Sequence, residues 1–256
     1  MFGSKLLRLV LLISLLVLPL MSHAEELSAQ VTWSQRVILS SPVSGTVAEV
    51  LVDAGQRLTK GEAMLRLSAA RFEAALGDTK AQVKDKKAAL DEAEREKQRA
   101  EELYEQTVLS DRDLQLAKNQ FVSAQAVYQR ALALMVNAKE DLKESVIRAP
   151  FDGVVIARFV EVGQTIVSRT EVEKMFSYAG TEQYHARGEV SSDNARALKL
   201  GQTLDLSIAG KRYNGTIKLI GLEPITGKDG FYYLDVSFKS DDKNLRAGQS
   251  AIINLP

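Results

Sequence analysis

The sequence contains no cysteine. That excludes structural disulfides, Cys-based metal sites, a thiol nucleophile and a lipid-modified N-terminal cysteine. Histidine is nearly as scarce: of the two, His23 lies in an apolar leader and His185 stands alone, with no second histidine at metal-ligand spacing. An excess of charge is also missing. The 33 Lys and Arg balance the 33 Asp and Glu, so there is no electrostatic case for a nucleic-acid partner. Neither a Gly-x-Ser-x-Gly elbow nor a phosphate loop occurs. The acid clusters at 91–96 and 100–105 fit solvated helix faces, and His185, on an alternating strand, fits a structural or surface role. No catalytic, metal or cofactor site is expected, and the chain reads as an assembly protein, not an enzyme.

Proline is rare as well, with five in 256 residues. One of them, Pro19, interrupts the apolar run Leu9–Leu20, which follows Lys5 and Arg8 and precedes Ser22-His23-Ala24. A charged start, an apolar run too short for a span and small residues at −3 and −1 make an export signal cleaved after Ala24. Cleavage removes two positive charges, leaving a net charge of −2. The periplasm is the expected compartment, with no lipid anchor.

Between Phe72 and Ser145 there is no proline, and Gly77 is the one glycine. Ala, Glu, Lys, Gln, Arg and Leu dominate, which are strong helix formers, over a length that demands a coiled coil. From Leu114 through Ala117, Phe121, Ala124, Tyr128, Ala131, Met135, Ala138 and Leu142 to Ser145, apolar or small residues recur at alternating steps of three and four. A weaker seam runs through Leu76, Val83, Leu90, Ala93, Ala100 and Tyr104, diluted by Lys86 and Lys97. Between them, β-branched Thr107 and Val108 precede a Ser110-x-x-Asp113 helix start. The spacing predicts an antiparallel hairpin with arms at about 72–106 and 111–145, each roughly 50 Å long.

The hairpin separates two copies of one phrase. "SPVSGTVAEVLVDAGQRL" at 41–58 and "APFDGVVIARFVEVGQTI" at 149–166 align at a shift of 108, matching Pro42 with Pro150, Gly45 with Gly153 and Gly55 with Gly163. Each copy has a Pro-x-x-Gly turn, a valine-rich run, an acid-x-Gly-Gln turn and a second apolar run. Two such halves are expected to pack about a pseudo-two-fold as one β-sandwich, the hairpin leaving and re-entering it. After about Tyr178, alternating segments and one capped helix at "SSDNARALKLG" read as a further β domain.

With this split repeat, the chain resembles the periplasmic adaptors, or membrane fusion proteins, of the HlyD-like group serving RND-type tripartite efflux pumps. The resemblance implies an α+β fold: a split lipoyl-like β-sandwich with an inserted antiparallel α-helical coiled-coil hairpin, followed by a small antiparallel β-barrel domain. The implied division is a signal peptide at 1–24, a strand joining the barrel at 25–40, lipoyl-like half 1 at 41–71, the hairpin at 72–146, half 2 at 147–178 and the barrel at 179–256. Where lipoyl carriers place a modified lysine, "AMLRLSAARF" puts Arg71, whose guanidinium cannot form the amide. Arg99, Leu103 and Ser110 have the spacing with which such adaptors engage a TolC-type outer-membrane channel at the hairpin tip.

The implied partners are therefore an inner-membrane transporter of the RND type, the channel, and further copies in a ring, hexameric or mixed with a second adaptor. The alternatives are the same architecture serving an ABC exporter or secretion system, and a free-standing periplasmic binding module. In two respects the pattern departs from the family: "ITGKDGFYY" replaces the usual Thr-Arg-Thr element, and no membrane-proximal domain follows Pro256. Both bear on the transporter contact.

Overall fold

The computed structural model describes residues 25–168 and 172–256; the expected leader at 1–24 lies outside them. Two compact units result, the described part of Met1–Gln35 with Glu182–Pro256, and Arg36–Thr181. In the first, β1 (Glu26–Trp33) opens a closed antiparallel six-stranded barrel. In the second, half 1 supplies β2 (Arg36–Leu39), β3 (Gly45–Val50), β4 (Arg57–Leu58) and β5 (Ala63–Leu67). The helices α1 (Ala70–Glu105) and α2 (Asp111–Glu144) follow, and half 2 supplies β6 (Val146–Arg148), β7 (Gly153–Arg158), β8 (Thr165–Ile166) and β9 (Phe176–Gly180).

The sandwich consists of two four-stranded sheets, β2-β9-β7-β4 and β6-β5-β3-β8, so each sheet mixes strands of both halves. The mixing is reciprocal. Gly45 pairs with Ile166 and, 108 residues on, Gly153 pairs with Leu58. Val47 N–H donates to Gln164 O at 2.9 Å, and Val155 N–H donates to Gln56 O at the same distance. Past Ile166 the shift grows to 111: Val50 with Leu65 is mirrored by Arg158 with Phe176, and Leu65 with Ile147 by Phe176 with Leu39. Neither half can complete a sheet alone. The shared core holds Val47, Met64, Leu65, Val155, Phe176 and Tyr178, all at 2% exposure or less. At about 1.5–3 kcal/mol per fully buried large apolar side chain, this common interior is what joins the halves.

The four repeat glycines divide into two kinds. Gly55 and Gly163 have φ of +88° and +86° with open space around them, the left-handed turn geometry that glycine adopts without strain. Gly45 and Gly153, expected to be turn glycines, instead begin β3 and β7 at ordinary φ and are small because a neighbour is close. A Cβ on Gly45 would stand 3.2 Å from the Leu67 side chain; one on Gly153 would overlap the Ala179 carbonyl oxygen and lie 2.9 Å from the Tyr178 ring. Pro42 and Pro150 sit in the exposed bends just before these strands. Tyr178 is buried, its hydroxyl donating to Phe151 O at 2.9 Å, and burial pushes its pKa up to about 12.

The barrel runs β1, β10 (Gln183–Ser191), β13 (Phe231–Lys239), β12 (Lys211–Ile220), β11 (Thr203–Ile208) and β14 (Ser250–Asn254), closing from β14 onto β1. The short helix α3 (Ser192–Ala197) follows β10, its start capped by Ser191. Alternation is strict along β10, where Tyr184, Ala186 and Val190 point inward. The expected strand over 25–40 is in fact two. Ser34 Oγ donates to Gln183 O at 2.7 Å where the β1–β10 ladder ends, and Arg36–Leu39 then pair with β9 in the sandwich. For the same reason, half 2 extends through Gly180 instead of ending at 178.

On the outer barrel face, Asp235 is 3% exposed and accepts two 2.7 Å bonds from Arg187, while His185 Nδ1 stands 3.9 Å from the same carboxylate. Burial lowers the His185 pKa, and Asp235 only partly offsets it against Arg187 and Lys218. The unfolded chain therefore binds the proton more readily. Stability from this group is complete above the ordinary histidine range and is lost as pH falls through the lowered folded-state pKa. Urea midpoints measured from pH 7.5 to 5 are expected to decline, and His185→Gln to remove part of that slope. The two repeat images should also respond differently to one change: Gly153→Ala is expected to destabilise by about 3 kcal/mol or more, Gly45→Ala by less than about 1.5 kcal/mol, in thermal or urea unfolding.

Candidate functional site: the hairpin tip

Every α2 seam position from Leu114 to Ser145 is buried or half-buried. Along α1 the inward positions are Leu76, Val83, Leu90, Ala93 and Ala100, with Lys86 and Lys97 half-buried among them. The lysines are tolerated because their stems lie along the seam while the amino groups escape: Lys97 Nζ sits 4.8 Å from the centre of the Phe121 ring. At the root, Leu67 N–H donates to Ser145 O at 2.8 Å, continuing the β5–β6 ladder into the base of the arms.

At the tip, α1 ends in a Schellman motif: Val108 N–H donates to Leu103 O at 3.0 Å and Thr107 N–H to Tyr104 O at 2.9 Å. The motif needs a left-handed residue, and Thr107 takes it with φ +63° where glycine would be unstrained. Val108 is thereby thrust into solvent at 70% exposure. Leu109 turns back to pack on Ala100, Leu114 and Ala117. It fills the place expected for Tyr104, which is 43% exposed instead. Ser110 caps α2, accepting from Asp113 N–H at 3.2 Å and donating to its carboxylate at 2.7 Å.

Arg99 and Leu103 fall on one side of this tip. The Arg99 side chain is 62% exposed and ion-paired with Glu96; Leu103 is half-buried. Together with Leu109, Leu116 and Gln120 they line a shallow groove of about 220 Å³. Leu116 is 55% exposed at its edge. The groove offers a forked guanidinium beside an apolar floor, which suits packing against a helix end or helix pair with a carboxylate or carbonyl in reach. Ser110 does not line it: its oxygen is engaged with Asp113, and its part is to hold the turn. Sequence reasoning missed Leu109 and Leu116. Leu116 lies off the heptad seam, and a polar residue at such a position would have raised no question.

Arg71 occupies the second position of α1, at the root of the hairpin, not the tip of a strand-to-strand turn. Its guanidinium donates to Ser44 O and lies 4.9 Å from the centre of the Phe72 ring. Among the described residues there is no group of three or more His, Asp or Glu placed to hold a metal ion. None of the described helices is long and apolar enough to cross a membrane.

Comparison with known proteins identifies the sandwich. Residues 35–175 match the CzcB-like barrel-sandwich hybrid domain, and the chain belongs to that family. It is 23% identical over 186 residues to the cobalt-zinc-cadmium resistance protein CzcB of Cupriavidus metallidurans, covering 70% of this chain and 34% of that protein. It is 25% identical over 238 residues to the nodulation protein NolF of Rhizobium meliloti, covering 92% and 64%. The chain thus spans about a third to two thirds of the relatives it matches. Among solved structures, the membrane fusion protein Spr0693 of Streptococcus pneumoniae R6 superposes with a TM-score of 0.71 at 18% identity, over 91% of this chain and 98% of that one. A MacA–MexA chimera carrying the Pseudomonas aeruginosa MexA α-hairpin superposes at 0.65 with 22% identity, over 91% and 79%. The architecture is therefore that of a membrane fusion protein.

The left-handed Thr107 generates a direct expectation. Thr107→Gly should stabilise the hairpin by about 1 kcal/mol, the difference between the strain of a left-handed L-residue and the entropy cost of glycine. Thermal unfolding followed by helical circular dichroism measures it.

Proposed function

We propose that this member of the CzcB-like family is the periplasmic adaptor of a tripartite efflux system, linking an inner-membrane transporter of the RND type to a TolC-type outer-membrane channel. The observation that carries the reading is the tip: a strained, capped turn that exposes Val108 and sets Arg99 and Leu103 on one groove at the far end of a hairpin rooted in the sandwich. Arg99 would supply forked donors, Leu103 the apolar contact, and Ser110 the fixed geometry of the turn. In this reading the chain is a scaffold and not an enzyme, it acts as an oligomer around the conduit, and its 24-residue leader is cleaved on export. Kinship to a protein named for cobalt, zinc and cadmium resistance makes tolerance of those ions the first phenotype to follow.

The absence of cysteine makes the test clean. Val108→Cys leaves the Ser110 cap intact, and a short crosslinker attached there in intact cells is expected to capture an outer-membrane channel. Adding Leu103→Glu should abolish that adduct while helical circular dichroism stays unchanged. Capture of soluble periplasmic proteins alone would favour a free-standing binding module, and a gene neighbour encoding an ABC transporter would favour the ABC exporter.

A further inference from the structure

The hairpin tip leaves apolar side chains in water. Val108, Leu116 and Tyr104 are 70%, 55% and 43% exposed, and the groove beside them is lined at its base by the small side chains of Ala100 and Ala117. A hollow over two alanines is shaped to take an apolar knob from a partner helix. The charges around it define what kind of surface carries that knob.

Residues 101–113 hold five carboxylates, Glu101, Glu102, Glu105, Asp111 and Asp113, against a single base, Arg112. Widening the count to 96–118 adds Glu96 and three bases, Lys97, Arg99 and Lys118, and six acids against four bases still leave a net charge of −2. That equals the net charge of residues 25–256 as a whole, so the remainder of that stretch is balanced. Three of the four bases are already engaged: Lys97 over the Phe121 ring, Arg99 with Glu96, and Lys118 with Glu101 at 3.8 Å. Among the described residues the exposed Glu102, Glu105, Asp111 and Arg112 hold no ion pair. Asp113 accepts from the Ser110 hydroxyl.

Helix electrostatics accounts for only part of this excess. Asp111 and Asp113 stand in the first turn of α2, where the dipole favours acids. Glu102 and Glu105 instead close α1, where the dipole favours bases, and no base stands in that last turn. The other two described helices follow the rule, with Lys143 in the last turn of α2 and Arg196 in that of α3. Glu102 and Glu105 therefore work against α1, the kind of local conflict that functional positions retain. Nor do the tip acids converge on one point, since no three of them are placed to hold a metal ion.

We propose that the tip docks on a basic surface: helix ends of the channel that present lysine or arginine beside an apolar side chain, the apolar group entering the groove and the bases meeting the carboxylates around it. The proposal rests on the channel reading given above and names the chemistry of that partner. It also narrows what Arg99 can meet. The groove is lined by two acids, Glu96 and Asp113, and by Arg99 as its single base, so an acidic partner is repelled and a backbone carbonyl is the acceptor that fits.

Glu102→Lys with Glu105→Lys, placed in the full-length Val108→Cys chain, separates docking from stability. Both changes suit the end of a helix, so helical circular dichroism is expected to hold and the melting temperature to stay or rise. The channel adduct in intact cells is nevertheless expected to fall about tenfold or more. Glu102→Gln with Glu105→Gln, which adds no charge, should lower it less, and gives the same reading if the lysine pair unfolds. Peptide mapping of the Val108→Cys adduct should find a lysine or arginine of the channel within a helical turn of the joined residue, and its reversal to Glu should restore capture by the Glu102→Lys, Glu105→Lys chain. An adduct that neither pair diminishes, a joined surface that is acidic or uncharged, or no rescue would overturn the proposal and leave docking standing. No adduct from Val108→Cys alone refutes docking itself, and the basic partner with it.

Discussion

The β5–β6 ladder and its image, β9–β2, decide what the rest of the chain can do. Each pairs a strand of one half with a strand of the other, so the sandwich forms only when residues some eighty to 140 positions apart in the sequence come together. Such non-local pairing carries a loop-closure cost that grows only slowly with length. A long helical insert between the halves is therefore thermodynamically tolerable. Its ends are clamped by the same bonds that close the sheet, Leu67 to Ser145 among them. The sandwich is thus both the base of the hairpin and the reason its arms stay together at the root.

Pseudo-symmetry imposes this economy on the backbone but not on the side chains. Tyr178 stands where half 1 has Leu67, and the larger ring presses on Gly153 as Leu67 does on Gly45, only closer. The three-residue growth of the shift after Ile166 falls in the connection to β9, where an insertion leaves every ladder in register. Two halves that began with the same turn chemistry have diverged at the places where one core has to be filled from both sides.

Much of this was legible in the residues. The seam from Leu114 to Ser145, the helix start at Ser110 and the paired Gly-Gln turns each rest on local chemistry that leaves a direct trace. The missed features are tertiary. Nothing local marks Gly45 and Gly153 as close-approach glycines, since a turn glycine has the same letter. Tyr104 continues the heptad on paper, but Leu109 returns from the loop and takes the inward place. The division of 25–40 between barrel and sandwich depends on where a ladder ends, at Ser34, and alternation alone runs through that point. The charge-poor middle of α2, with Arg130 alone between Lys118 and Lys139, is visible as composition, yet only burial reveals that Val122, Val127 and Val136 are exposed.

The hairpin is a weakly self-sufficient element. In α1 just Phe72, Leu90 and Ala100 are buried, two lysines interrupt the seam, and the tip turn carries a left-handed threonine. Exposed ion pairs along the helices add only tenths of a kcal/mol each. The root clamp acts at one end and fades along arms of this length. The geometry at the far end is therefore set locally: the bonds of Thr107 and Val108 back to α1, the Ser110 cap on α2 and Leu109 packed on Ala100, Leu114 and Ala117 tie the turn to both helices.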